Sequence, residues 1–397
     1  MNTRKINRSW VDEFIDLGED TESPVLYYKW VGLVFVACAL RRNVWLRRPR
    51  YIDYPNLYVI LVSPPGVTRK STPCDFGYES VVSHVPAINK FTGRITTEAL
   101  CKKLSKMDVN YDSNILEANA SLFLYASELS SLFKRLPRGS YPVIDFLTAI
   151  YSSGNYTYET NSNGEQKLSD ICINMLAATT VAGINDLIGV YGVEGGFASR
   201  TVFVYQDVRM PKPWPDDDFN DMTKIGNLIA DLSRISTLKG EMKIPAISKR
   251  WFDAWYIPQA LENPPSELIH YWTRRHDLLL KLAMLYSVSE RDDLTILVPD
   301  FEKAKSTLEE VERFMPYAFQ GIEKTKESCI REIILSYVKM HSDTGITQTE
   351  VLRKFQHRVK GSKELRDIMG SLIDMGSVSV VHSLRGKGVR YVVNKGC

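Results

Sequence analysis

The chain has 397 residues, 44% of them hydrophobic and 24% charged, which is ordinary globular composition and too much chain for one small core. The formal net charge is only +3, so any basic surface for a polyanion has to be local. The six cysteines, Cys38, Cys74, Cys101, Cys172, Cys329 and Cys397, form no CxxC pair and have no adjacent histidines, which argues against a disulfide framework or a zinc site and fits a reducing cytoplasm.

The first ten residues are polar and lack the apolar stretch of a signal peptide. The most apolar run, Val31 to Leu40, is about half the ~20 residues that a spanning helix needs. It is expected to be a buried helix, with no membrane partner. Trp10, Phe14 and Ile15 recur at helical spacing, a turn-like stretch covers Gly18 to Pro24, and Val25 to Leu46 carries apolar residues at helical period. Arg41, Arg42, Arg47, Arg48 and Arg50 surround the end of that helix, either as a solvated, dipole-compensating end or as a phosphate-contacting patch.

Asn56 to Val62 is short, apolar and rich in β-branched and aromatic residues, which predicts a buried parallel strand. Ser121 to Ala126, Ile171 to Ala177 and Thr201 to Tyr205 are three more strand candidates, with helical patterns at Thr97 to Met107 and Tyr141 to Ser152. Strands alternating with helices imply a parallel sheet. Asn155 to Gln166 is either a hairpin or a mobile loop, and Pro211 to Pro215 marks the end of the sheet domain. The pattern from Phe219 to Gln320 is nearly all helical.

Ser63-Pro-Pro-Gly-Val-Thr-Arg-Lys-Ser-Thr72 joins the first strand to a helix start, which is the context of a phosphate loop. Backbone N–H groups from Gly66, Thr68 and Arg69 would wrap phosphates, Lys70 would neutralise them, and Ser71 or Thr72 would offer a hydroxyl to Mg²⁺. The loop departs from the usual pattern: Pro64 stands at the first glycine, or Ser63 does in a loop one residue longer, and Arg69 replaces the glycine before the lysine, where it would add a second cation near the phosphates. The second strand ends in Ser127-Glu128, where an Mg²⁺-linked acid and a water-activating glutamate are placed in such sites. Ser127 takes the first position as a possible Mg²⁺-shell group and Glu128 the second. Thr179 and Thr180 follow the third strand, as γ-phosphate sensors or as a turn. Arg200 precedes the fourth strand, as an arginine finger for a neighbouring subunit or as a sheet-edge cation.

The order of these elements resembles the ATPase half of primase–helicase proteins of phages and mobile elements, a variant P-loop family with a RecA/AAA+-like parallel sheet. The matching stretches are Glu22-Ser-Pro24, Tyr54-Pro-Asn-Leu-Tyr58, Arg69-Lys-Ser-Thr72, Ser127-Glu-Leu129, Gly196-Phe-Ala-Ser-Arg200 and Arg275 to Ala283. The resemblance implies an ATP- and Mg²⁺-dependent motor or loader, typically a ring of identical subunits. It also implies that Arg274 or Arg275 touches nucleotide from a helical lid; the alternative is a solvated helix face. No primase-like segment precedes the first strand, so priming would need a separate primase or loader chain.

Residues 323–397 read as a separate unit with the order of a winged helix-turn-helix. Helices are expected at Ile330 to Met340, Thr347 to Gln356 and Ser362 to Met375, with Gly376 as the stop and a hairpin from Ser377 to Val393. Arg353, Lys354, Arg358, Lys360, Lys363 and Arg366 lie on or near the second and third helices, and Arg385, Lys387 and Arg390 at the wing, a distribution that suits DNA phosphates. A protein–protein adaptor is the competing reading. The expected organisation is a helical region at 1–50, a P-loop core at 51–212, a helical lid at 216–320 and the winged helix at 323–397. The expected function is an ATP-dependent, helicase-like replication factor acting on DNA. A weakly or non-hydrolysing DNA-binding initiator is one alternative, and an ATPase of mobile-element defence or partition is another.

Overall fold

The computed structural model describes residues 4–6, 8–108, 120–132, 142–152, 156–160, 164–188, 196–212, 222–259, 264, 268–319, 334–335, 337–339, 341, 345–355, 359, 361–382 and 389–394. Helix α1 (Trp10–Asp16) begins at Ser9, whose hydroxyl accepts the Asp12 N–H at 3.4 Å. Helix α2 (Val25–Leu40) has almost no polar side chain and is buried nearly all round, as expected of a helix enclosed by protein. It stops at Leu40, earlier than its apolar pattern predicts, because Arg41 takes a left-handed φ of 52°. Val44–Arg47 then forms strand β1, which pairs antiparallel with β2 (Ile52–Asp53).

The central sheet follows. Its strands are β3 (Tyr58–Val62), β4 (Lys90–Thr92), β5 (Ser121–Ala126), β8 (Cys172–Thr179) and β9 (Thr201–Tyr205). Between them run α3 (Ser71–Ser80), α4 (Thr97–Asp108), α5 (Leu129–Leu132), α6 (Pro142–Ile150), a hairpin of β6 (Tyr156–Thr160) and β7 (Gly164–Leu168), and α7 (Val181–Ile188). All neighbours are parallel, in the order β4-β5-β8-β3-β9. Every residue of β3, β5, β8 and β9 is buried, which is why these strands are continuous apolar runs.

The register fixes two edges. Tyr58 lies opposite Met175 and Thr201, and Val62 lies opposite Thr179 and Tyr205. The strands therefore share one amino edge and one carboxyl edge, separated by roughly 15–20 Å at about 3.3 Å per residue. From β3 the chain leads toward β4, and from β8 it leads back past β3 to β9. Adjacent strands whose connections run in opposite directions leave a crevice between their carboxyl ends.

The expected N-terminal region, sheet core and lid share one compact unit, residues 1–320. Helices α8 (Met222–Ile235), α9 (Ala246–Gln259), α10 (Ile269–Trp272), α11 (Arg275–Glu290), α12 (Val298–Glu312) and α13 (Met315–Ala318) belong to it, with a two-residue strand β10 (Gly240–Glu241) beside β1. Helix α2 is the reason for the merger, since it packs on β3, β8, β9, α8 and α11 at once. Close approach to α3 requires Gly77, where a Cβ would stand 2.5 Å from the Phe35 ring. No helix among the described residues is long and apolar enough to cross a membrane.

Residues 321–397 form the second unit. Strands β11 (Ile346–Thr347), β12 (Val378–His382) and β13 (Val389–Val393) make an antiparallel sheet in the order β11-β13-β12. Helices Gln348–Phe355 and Ser362–Asp374 bury Val351, Leu365, Ile368, Met369 and Leu372 in a core shared with Val338 and Tyr391. The second helix ends in the C-cap Met375 followed by Gly376, whose φ of 69° suits glycine.

Candidate functional site

At the carboxyl edge the chain leaves β3 through Ser63 to Lys70 and enters α3 at Ser71. Gly66 has a φ of 72°, and Arg69 has a φ of 46° where a phosphate loop normally has glycine. That conformation costs a non-glycine residue roughly 1–2 kcal/mol. It is held from a distance: the Ser23 hydroxyl donates to the Arg69 carbonyl at 3.0 Å, and Glu22 pairs with the Arg69 guanidinium. Glu22 also pairs with Arg209 at 2.7 Å, and the hydrogen bond from Arg209 holds its carboxyl below the usual range. Two stretches that stand far apart in the sequence, Glu22-Ser-Pro24 and Arg69-Lys-Ser-Thr72, are thus one structural unit.

The side chains expected on this loop divide by role. Thr68 is fully buried and its hydroxyl faces the Tyr27 hydroxyl at 3.4 Å, which in turn donates to the Val62 carbonyl at 2.8 Å. Thr68 therefore braces the loop from inside. Arg69 is engaged by Glu22, which takes it away from the role of a free second cation. Lys70, Ser71 and Thr72 are half-buried, and their side-chain polar atoms have no hydrogen-bond or ion-pair partner among the described residues.

Ser127 and Glu128 lie exposed just beyond β5. Thr179 is the last residue of β8, one strand nearer the loop, and is buried. Its hydroxyl donates to the Glu128 carboxylate at 3.1 Å, and its carbonyl accepts the Ser63 N–H at 3.3 Å. One threonine thus ties the β5 glutamate to the first residue of the loop. A Cβ on Gly183 would stand 2.2 Å from the Thr179 hydroxyl, so glycine there keeps the hydroxyl in place. Thr180 accepts the Gly183 N–H at 3.1 Å and caps α7. Asp75 of α3 accepts a hydrogen bond from Tyr125 of β5, joining the helix after the loop to the strand before Glu128. Burial, reinforced by Asp75, pushes the Tyr125 hydroxyl well up, so it stays a donor.

The remaining expected cations lie at the other edge. Arg200 immediately precedes Thr201, the β9 residue opposite Tyr58, and donates to the Gly196 carbonyl at 2.6 Å. Burial, together with the charge of Arg274, pulls the Arg200 guanidinium down. Arg274 shares a cavity with Arg200, Tyr151 and Asp277. Arg275 is buried, bonded to Glu312 at 2.5 and 2.6 Å, and sits 4.5 Å from the Trp272 ring centroid. Arg274 and Arg275 thus lie with Arg200 at the amino edge and not beside Lys70 of the same chain. The sequence pattern does not show which end of a strand a preceding or packing residue will meet; only the sheet topology does.

In the second unit Arg353, Lys354, Lys363 and Arg366 are exposed on the two helices. Lys354 lies 6.0 Å from the Tyr337 ring centroid, and Arg390 donates to the Gly345 carbonyl at 3.0 Å. Arg358, Lys360, Arg385 and Lys387 lie outside the described residues.

Sequence reasoning missed Glu22, Asp75, Tyr125 and Gly183 as parts of the carboxyl edge. Only Gly183 carries a local signal, a glycine four residues after Thr179. No protein-family model matches the chain, and no curated protein matches it significantly.

Proposed function

We propose that this chain is a P-loop ATPase whose substrate phosphates lie on the Gly66 to Ser71 backbone, at the carboxyl edge of the sheet. The observation that carries the reading is the conjunction at one edge of an unpartnered lysine at a helix start and a glutamate held by the neighbouring strand. Lys70 supplies the positive charge for the β- and γ-phosphate oxygens. Glu128, aimed by Thr179, accepts a proton from the attacking water. Thr179 also couples that carboxylate to the loop, because its carbonyl binds Ser63.

The residues present suit Mg²⁺ of the kind held largely by phosphates and water. Among the described residues no three His, Cys, Asp or Glu side chains cluster as a metal cage, and Mg²⁺ commonly takes only one or two protein groups. The Ser71 hydroxyl is unpartnered and Ser127 is exposed beside Glu128, so these would hold the ion or its water. When bound, the ion neutralises phosphate charge.

Arg200 serves a neighbouring subunit's nucleotide in this reading, since a strand's length separates it from Lys70 in its own chain. That requires a homo-oligomer, and a closed ring is the form that repeats such a head-to-tail contact. The exposed cations of the second unit serve DNA phosphates, in a winged-helix arrangement of two helices and a hairpin. A helicase-like factor of a phage or mobile element, working with a separate primase or loader, is the combination these parts fit. A nucleotide-binding but slowly hydrolysing initiator is the second reading, favoured by Ser127 at the position of the usual acid.

ATP turnover with and without single-stranded DNA tests the proposal. Turnover stimulated by DNA and lost in Lys70→Ala is expected. Turnover equal in Lys70→Ala and wild type would remove the assignment, and ATP binding without turnover would select the initiator.

A further inference from the structure

The arginine cluster after α2, which the sequence leaves open between a solvated helix end and a phosphate patch, lines a cavity of about 570 Å³ at the amino edge of the sheet. This cavity lies at the opposite end of the strands from Lys70. Arg42, Arg50, Tyr51, Arg274, His276 and Lys281 all face it.

Its polar groups are of two kinds. The carboxylates are already satisfied: Arg48 bonds both Asp53 and Asp277, and His276 bonds Asp277 at 3.1 Å. Burial pushes the Asp277 carboxyl up, but hydrogen bonds and charge from His276 and Arg48 outweigh it and hold it at about 2. Several cations are left over. Arg50 is exposed and Arg274 half-buried, and neither guanidinium makes a hydrogen bond or ion pair among the described residues. Lys281, by contrast, is 5% exposed and held by the protein: it donates to the Asn56 carbonyl and side-chain oxygen at 3.0 and 2.7 Å and lies 4.2 Å from the Tyr151 ring centroid. In the adjoining pocket the buried Arg200 Nε has no partner. Arg274 is the N-cap residue of α11 and gives it no side-chain cap, so the positive end of the helix dipole adds to the site.

A surplus of arginine with unused donors selects an anion, and the fork of a guanidinium matches phosphate oxygens. The volume excludes inorganic phosphate as a ligand that fills it, being in the range of small-molecule sites. Part of the remaining wall is aromatic. Tyr51 is 53% exposed and has Arg48 over one face of its ring at 4.6 Å, and Tyr54 is covered by Arg42 at 3.9 Å. Exposed tyrosine beside arginine is the chemistry that stacks a nucleobase while binding its phosphate.

We infer that this amino-edge cavity binds a nucleoside phosphate, its phosphate on Arg50 and Arg274 and its base against Tyr51. The ligand is either a free mononucleotide or one nucleotide of a single strand. The site is formed within one chain and does not depend on the assignment of Lys70.

The test is calorimetric titration of full-length protein carrying Lys70→Ala, with AMP and separately with an eight-residue oligothymidylate as probes. Binding of at least one probe is expected, weakened about tenfold or more by Arg274→Gln and by Arg50→Ala, a loss of roughly 1.4 kcal/mol or more. Tyr51→Ala, an exposed position where folding is not at risk, is expected to weaken it as well. AMP binding that the oligonucleotide does not displace identifies a free nucleotide as the ligand, and displacement identifies a strand. The inference is overturned if neither probe binds the Lys70→Ala protein, or if Arg274→Gln and Arg50→Ala weaken no component of the binding of either probe, oligonucleotide held by the second unit being the component these variants leave unchanged. Failure of the Lys70 assignment has a different signature, namely wild-type turnover in Lys70→Ala.

Discussion

At the carboxyl edge of the sheet Lys70, Ser71 and Thr72 keep their polar atoms unpartnered, whereas at the amino edge Arg48, Arg275 and Lys281 are each tied by two or more bonds. The six motifs that the sequence offers as one ordered set divide between these edges. Glu22-Ser-Pro24, the Arg69 to Thr72 loop and Ser127-Glu-Leu129 meet at the first. Tyr54 to Tyr58, Gly196 to Arg200 and Arg275 to Ala283 meet at the second, where Lys281 bonds Asn56 and Tyr58 touches Tyr151 and Phe197. A fully bonded cation holds elements together, and only an unbonded one is available to a ligand. The lesson is that charged residues of the same kind are taken up by architecture at one place and left open to a ligand at another, according to their partners.

Variants can break this contrast. The largest effect on stability is expected from Glu312→Ala, which leaves the buried Arg275 without its bidentate partner. Breaking one side of such a pair costs about 3–5 kcal/mol. Urea unfolding measures it, and ATP turnover by the folded fraction should be preserved. A loss below about 1 kcal/mol would show that the pair does not organise the amino edge. Gly183→Ala comes next, because its Cβ would overlap the Thr179 hydroxyl. Overpacking of this kind costs about 1–3 kcal/mol, and here it should also lower turnover by disturbing Glu128. Wild-type turnover in that variant would detach Thr179 from the chemistry.

A third test uses pH. Burial lowers the Lys281 ammonium to about 8, below its unfolded value of about 10.4. Between those values the unfolded chain holds the extra proton, so the contribution of this group to stability rises with pH across that window. Stability of wild type relative to Lys281→Met should therefore increase from pH 8 to pH 10. A difference that does not change with pH would mean that Lys281 is not buried as described. The smallest effect is expected from Glu22→Ala. Its pairs with Arg69 and Arg209 are solvent-screened, so their loss should change stability only slightly. Combining it with Arg69→Gly should restore the loss, because glycine takes the left-handed φ without strain.

Much of the fold was legible because buried parallel strands leave continuous apolar runs, as β3, β5, β8 and β9 do. Strand β4 was not, since it has three partly exposed residues at the sheet edge. The overshoot of α2 has a comparable cause: helical period continues past Leu40, but the turn at Arg41 is a backbone event that periodicity does not encode. Lys70 and Glu128 were legible because each follows a recognisable strand. The support of Arg69 by Glu22 and Ser23 was not, because it spans 46 residues from Ser23. The placement of Arg274 and Arg275 away from Lys70 also escaped the sequence, as strand direction assigns residues to edges only once the topology is known.

The central claim is that the carboxyl edge is where ATP chemistry occurs, and Glu128→Gln tests it most directly. The substitution keeps the shape and a hydrogen-bond acceptor for Thr179 but removes the base. Steady-state turnover should fall about 10²–10⁴-fold, while ATP affinity measured on the same protein stays within a few-fold of wild type. Turnover that is unchanged in Glu128→Gln, with normal ATP affinity, would contradict the account.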